Sequence, residues 1–164
     1  MNIHARRSMF ALATCLLAAL AGTVSARQFT PDGWLPPTLQ LTGVWDVQVT
    51  LRNCTTGAAL VSFPAMDLFI ADGSSSEVGV GMPPAARYPS FGRWHYIGPR
   101  RFDSRFSFFR FASDQSYAGT QDVHRTIVLS LDGNHYSSTS SVAIYDTQHH
   151  LLQTGCATES AVRR

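Results

Sequence analysis

The chain contains no lysine: its thirteen cationic side chains are all arginine. Two of them, Arg6 and Arg7, lie in an N-terminal segment that reads as a leader, and the eleven that remain equal the eleven aspartates and glutamates. From Arg27 onward the chain is formally neutral, so its overall positive balance is no argument for nucleic acid, an anionic membrane or an acidic substrate. Charged residues make up only 15% of the sequence, too few for a disordered acidic or basic tail. No multi-pass pattern of apolar runs is present, and no helical period is sustained. Also missing are a Gly-x-Ser-x-Gly elbow, a phosphate loop and a dinucleotide fingerprint. No set of His, Cys and Asp stands at metal-ligand spacing, so the motifs imply no metal, no cofactor and no catalytic residue.

Residues 1–26 have the layout of a secretory signal. Asn2, His4, Arg6 and Arg7 form a short positive region, Met9 to Ala21 is apolar, and Val24-Ser25-Ala26 offers small residues before Arg27. The expectation is export to a periplasmic or extracellular space, with no stable membrane insertion once the leader is gone. Leu12-Ala13-Thr14-Cys15 as a lipoprotein site and Arg6-Arg7 as a twin-arginine signal are weaker readings. Cys15 would leave with the leader, reducing three cysteines to Cys54 and Cys156. An even pair in an exported chain points to one disulfide, with two buried thiols as the alternative. Such a bridge would contribute roughly 4 to 5 kcal/mol in the chain-entropy model. It would also place the two ends of the folded region side by side.

Residues 27–40 hold Pro31, Gly33, Pro36 and Pro37 and read as an extended lead-in, with Trp34 as an anchor. A single domain spans 41–164. Alternation at period two begins there and predicts eight strands: 42–53, 60–71, 74–80, 91–97, 101–112, 117–131, 134–146 and 151–162. In the first, Trp45, Val47, Val49 and Leu51 point one way. In the second, Met66, Leu68 and Ile70 share a face, and Pro64 marks a bulge or an edge. Asp72-Gly73 and Asp132-Gly133 are hairpin signals. The segment 81–90 carries Pro83, Pro84 and Pro89 and reads as an apolar loop placed to cover a mouth. Phe109 and Phe111 fall on the opposite face from Phe102, Phe106 and Phe108. A bulge near Phe108-Phe109 that returns them to the core is preferred over an outer apolar patch.

Short turns and no helix leave an up-and-down antiparallel barrel or a β-sandwich. The barrel is preferred because closure makes the first and eighth strands neighbours, which lets Cys54 meet Cys156 and removes exposed edges. Pairing 54 with 156 sets Asp46 near Arg164 and Trp45 beside the Arg163-Arg164 end. There an arginine plane over the indole would close the base, unless the terminus frays.

Gly43-Val44-Trp45, at the start of the first strand, resembles the signature of the lipocalin and wider calycin barrels. Gly92-Arg93-Trp94 repeats the tripeptide, and the likeness, covering about 41–162, is to a lipocalin-like bacterial barrel. The resemblance implies an eight-stranded barrel holding a small apolar ligand. The chain departs from it in lacking a Thr-Asp-Tyr segment, an outer packed helix and a long loop after the first strand.

On the sixth strand Tyr117, Val123, Ile127 and Leu129 share a face with Gln121 and Arg125. A buried arginine requires a carboxylate, carbonyls, water or a ligand. The expected site is a partly polar cavity. In it Gln121 and Arg125 orient an oxygen-rich end, Ser138 and Ser140 leave room, and Trp45, Trp94, Phe106, Phe108 and Tyr117 enclose an apolar body. The alternative is a core filled by side chains. His149-His150 reads as an exposed hairpin tip, and His95, His124 and His135 as isolated side chains. The function expected is non-catalytic binding of a small apolar or amphipathic molecule. Its rivals are a barrel enzyme of isomerase, cyclase or hydrolase type using Arg125 and Tyr117, and a solid-core envelope protein that uses an outer patch at Phe109 and Phe111.

Overall fold

The computed structural model describes residues 40–164. The expected leader, Cys15 and the lead-in with Trp34 lie outside these residues. Eight strands follow one another as β1 (Gly43–Arg52), β2 (Ala59–Phe69), β3 (Ser74–Gly79), β4 (Phe91–Gly98), β5 (Arg101–Phe111), β6 (Tyr117–Leu129), β7 (His135–Tyr145) and β8 (Leu151–Arg163). They close into an antiparallel barrel in sequential order, with β8 paired to β1.

Aspartates organise four of the turns. Asp72, Asp114, Asp132 and Asp146 each accept the backbone N–H two residues on, from Ser74, Ser116, Asn134 and Gln148. These side chains imitate a backbone turn and set where each hairpin reverses. Asn53 does the same for the β1–β2 turn, accepting from Thr55 and Thr56.

Closure brings Cys54 and Cys156 into a disulfide with 5.3 Å between their Cα atoms. The register runs two residues from the trial one, with Arg52 rather than Cys54 opposite Cys156. The predicted base is present. Arg164 pairs with Asp46 at 3.2 Å, and the Arg163 guanidinium lies 4.2 Å from the centre of the Trp45 ring. Arg163 also donates to the carbonyls of Gln40, Thr42 and Gly133, tying the chain's ends to the β6–β7 turn. Gly43 makes this possible: a Cβ there would stand 2.9 Å from Arg163 Nη1. The Gly-x-Trp tripeptide thus leaves space for the cation that covers the indole.

Met66, Leu68 and Ile70 share a face as expected, and it is the outer one; on β5 a face departs from expectation. Along β2 the inward residues are Ala65, Asp67 and Phe69, while Met66, Leu68 and Ile70 point to solvent. Pro64 lies where the β2–β3 ladder ends: pairing starts at Ala65, and Val80 N–H donates to the Pro64 carbonyl. Proline's absent N–H therefore falls at the end of the ladder, where only the bond from Val80 is made. β5 carries no bulge at Phe108-Phe109: the register shift of the β5–β6 pair comes after Arg110↔Gly119 and leaves Ala118 of β6 as the extra residue, and Phe109 stays outside, 54% exposed. The outer apolar patch is therefore the correct reading: Phe109 and Phe111 both pack on Tyr117, and Phe111 also on Tyr88.

The seam between β3 and β4 is short, with only Ser74↔Arg93 and Ser75↔Gly92 in register. Ser90 extends it: its N–H donates to the Glu77 carbonyl, and its hydroxyl accepts the Glu77 N–H at 2.7 Å.

Candidate functional site

The barrel is filled at one end and hollow at the other. At the base, around the chain ends and the β2–β3, β4–β5 and β6–β7 turns, aromatic rings occupy the interior. Trp45 packs edge-on to Tyr136, Phe69 to Trp94, and Trp94 to Phe102, with centroids 5.0 to 6.0 Å apart. Both indoles satisfy their N–H on backbone carbonyls, Trp45 on Leu41 and Trp94 on Ile70 and Ser74. At the other end a cavity of about 380 Å³ remains, within the range typical of small-molecule sites, roughly 300 to 1,000 Å³. Its apolar wall includes Val49, Leu51, Phe63, Met82, Phe106, Phe108, Val123 and Val142. The Cys54–Cys156 bridge stands at its edge.

An ionic layer separates the two halves. Arg125, 1% exposed, donates from Nη1 to Asp67 at 2.7 Å and to Glu159 at 3.0 Å. Its Nε reaches Ser104, and its guanidinium lies between the Phe69 and Phe106 rings, 5.2 and 4.9 Å from their centres. Tyr136 donates its hydroxyl to Asp67, and Ser138 donates to Glu159 at 2.6 Å. Burial works against the arginine's charge, but Asp67 and Glu159 outweigh it and hold the guanidinium protonated. Burial raises Glu159 above its ordinary value of 4.5, with Arg125 opposing and Asp67 adding to the rise. Burial, reinforced by the neighbouring Asp67, also raises the Tyr136 hydroxyl well above 10.0.

A second ion pair forms one wall. Arg87, in the loop between β3 and β4, meets Glu77 at 2.7 Å and lies flat over Phe108 at 3.8 Å. This loop runs beside β5, with Arg87 bridged to Arg110 and Tyr88 N–H donating to the Phe109 carbonyl. Met82 and Arg87 line the cavity, so the loop expected to cover the mouth contributes to its wall. Burial raises Glu77, and the hydrogen bond and charge of Arg87 oppose it. The chain has two glutamates, Glu77 and Glu159, and both point inward.

Of the nine residues expected to bind a ligand, Phe106, Phe108, Gln121 and Ser140 line the cavity. Trp45 and Trp94 belong to the filled base, and Arg125 and Ser138 to the ionic layer beneath. Tyr117 is on the outer surface, 46% exposed against Phe109 and Phe111. Beside Ala118, the extra residue of the β5–β6 ladder, Gly119 takes φ +104°, and a Cβ there would lie 2.1 Å from the Tyr145 carbonyl oxygen. That irregularity breaks the alternation that grouped Tyr117 with the inner face. Sequence reasoning did not place Asp67, Glu77, Arg87 or Glu159 inside.

The described histidines are outside. His149 stacks on Tyr145 and His150 meets Asp146 at the β7–β8 turn. His95 and His124 come together on either side of Asp103, with Arg105 3.5 Å from the same carboxylate.

The architecture is that of a closed eight-stranded up-and-down barrel, the coarse form implied by the Gly43-Val44-Trp45 likeness. No family model and no curated protein matches the chain. Among solved structures it is similar to Rv2717c from M. tuberculosis, with 13% identity, coverage of 79% of this chain and 99% of that one, and a TM-score of 0.40. At that level the likeness carries no function across.

Proposed function

We propose that the protein is an exported, lipocalin-like container that holds a small, largely apolar molecule in the hollow half of its barrel and does no chemistry on it. The observation that carries this reading is the 380 Å³ cavity, with a mainly apolar wall and a few buried polar groups at its floor and side. The Cys54–Cys156 bridge supports export, since disulfides persist in oxidising compartments. A barrel enzyme is a weaker reading. Asp67 and Glu159 do converge on Arg125, but they neutralise it, and Tyr117 is outside. The outer patch of Tyr88, Phe109, Phe111 and Tyr117 favours an added role in contacting an envelope partner.

Native mass spectrometry of the protein purified from its own source tests the container. The expected result is a retained small mass that denaturation releases. A bare chain in every preparation, which also fails to take up apolar probes, would contradict it.

A further inference from the structure

We propose that the cavity's occupant carries a cationic, hydrogen-donating end, a protonated amine, that docks on the Glu159 carboxylate beside Ser140. This rests on the container reading and names the chemistry it selects.

The first observation is a charge count. Among the described residues three buried carboxylates, Asp67, Glu77 and Glu159, are ion-paired with two guanidinium groups, Arg87 and Arg125, and Arg110, whose Nε is buried without a hydrogen-bond partner, forms no ion pair with any of them. A buried charge without an opposite partner is costly, and this set of buried ion pairs is short of one positive charge. The deficit falls on Glu159. Glu77 has a guanidinium to itself, with Arg87 Nη2 at 2.7 Å from Oε2 and Nη1 at 3.4 Å from Oε1. Asp67 and Glu159 share a single nitrogen, Arg125 Nη1, and Asp67 also takes the Tyr136 hydroxyl.

The second observation is where unused hydrogen-bonding capacity meets the cavity; Asp67 Oδ1 and Arg125 Nη2 are also without a hydrogen-bond partner, on residues of the layer beneath that do not line it. Both hydrogen bonds to Glu159, from Arg125 and Ser138, end on Oε2. Oε1 is left on a residue that lines the cavity. Ser140, also lining the cavity and only 9% exposed, has a buried hydroxyl with no protein partner. The pairs Ser138↔Glu159 and Ser140↔Ala157 are successive inward steps of the β7–β8 ladder, so the free hydroxyl sits one step nearer the mouth than the free carboxylate oxygen. An ammonium offers three donors and accepts nothing, which suits two acceptors side by side.

An anionic head fits poorly. Arg87 is committed to Glu77, and Arg52 at the rim donates to the Thr158 hydroxyl and the Gly57 carbonyl. Arg125 Nη2 and Arg110 Nε are buried without a hydrogen-bond partner, but neither residue lines the cavity. The oxygen-rich end expected from the sequence would therefore face Glu159 and Glu77 instead of a free arginine. Burial raises Glu159, and a bound ammonium would offset that cost by placing a positive charge beside the carboxylate.

Isothermal titration calorimetry of the full folded chain at neutral pH with octylamine, octanol and octanoate separates the outcomes, because the three probes share a tail and differ in the head. The expected order is octylamine tightest, by about tenfold over octanol, with octanoate weakest. In Glu159→Gln the ratio of octylamine to octanol affinity should fall toward one. Should that variant not fold, the ranking on the unaltered protein decides alone. Octanol or octanoate binding as tightly as octylamine would overturn the amine assignment and leave the container standing. Failure of all three to bind would overturn the container and the amine assignment with it.

Discussion

Arg125 Nη1 and Glu159 Oε2 stand 3.0 Å apart at the level where the aromatic base of the barrel gives way to its hollow end. On the base side the same nitrogen holds Asp67. This arginine fixes where packing stops and the cavity begins.

Replacing Arg125 with Met should destabilise the barrel by about 3 to 5 kcal/mol, the usual cost of leaving buried charges unpaired. Urea denaturation at neutral pH measures it. Adding Asp67→Asn and Glu159→Gln to the same chain should recover most of the loss, because the charges needing compensation are then gone. Recovery without those additions, or an Arg125→Met protein of full stability, would show that the layer is not under electrostatic constraint.

Stability should depend on pH with two opposite limbs. Glu77 and Glu159 are raised above 4.5 by burial, so the folded barrel binds those protons more tightly than the unfolded chain does. As pH climbs from 4.5 through the raised folded values, stability therefore declines, then levels off. Hydrogen bonds from backbone and side chains hold the turn aspartates Asp72, Asp114, Asp132 and Asp146 below 3.8. Their contribution is present above 3.8 and is lost as pH falls through the lowered values. Denaturation midpoints across the acid range should pass through a maximum, and Glu159→Gln should flatten the high-pH limb without moving the acid one.

Reducing the Cys54–Cys156 bridge, whose partners are 102 residues apart, should lower stability by about 4 to 5 kcal/mol on the chain-entropy account. Thiol titration of the denatured, unreduced protein should find these two cysteines blocked. The ladder pairing β1 with β8 should survive in Cys54→Ser/Cys156→Ser, since eight backbone pairs hold that seam independently.

Arg163→Ala should open the base. The change removes three donations to carbonyls and the cation over Trp45. A loss of roughly 2 to 3 kcal/mol is expected, with a change in Trp45 emission. Gly43→Ala should give a weaker version of the same effect, because its Cβ would crowd the guanidinium.

The strands were legible because alternation and turn chemistry agree along most of the chain. Each Asp-led turn signal fell at a real reversal, and the cysteine pair correctly chose a barrel over a sandwich. Period two, however, does not say which face is inside. On β2 the more apolar set, Met66, Leu68 and Ile70, is outside because Asp67 is held inside by Arg125 and Tyr136. The inner residues of β8 near Glu159, Ala157 and Ala161, are small and give little hydrophobic contrast. A usable signal was present nonetheless. An arginine on an apolar face needs acids, and four of the eleven acidic residues are spent on turns. Tyr117 was misplaced for a different reason: the bulge at Ala118 depends on strand pairing, which a single strand's pattern does not encode.

A crystal structure of the protein under xenon pressure tests the division of the barrel most directly, since xenon enters apolar voids and leaves packed interiors empty. Xenon should appear among Phe63, Phe106, Phe108, Val123 and Val142, and none among Trp45, Phe69 and Trp94. An unoccupied upper half whose volume is filled by side chains would contradict the account.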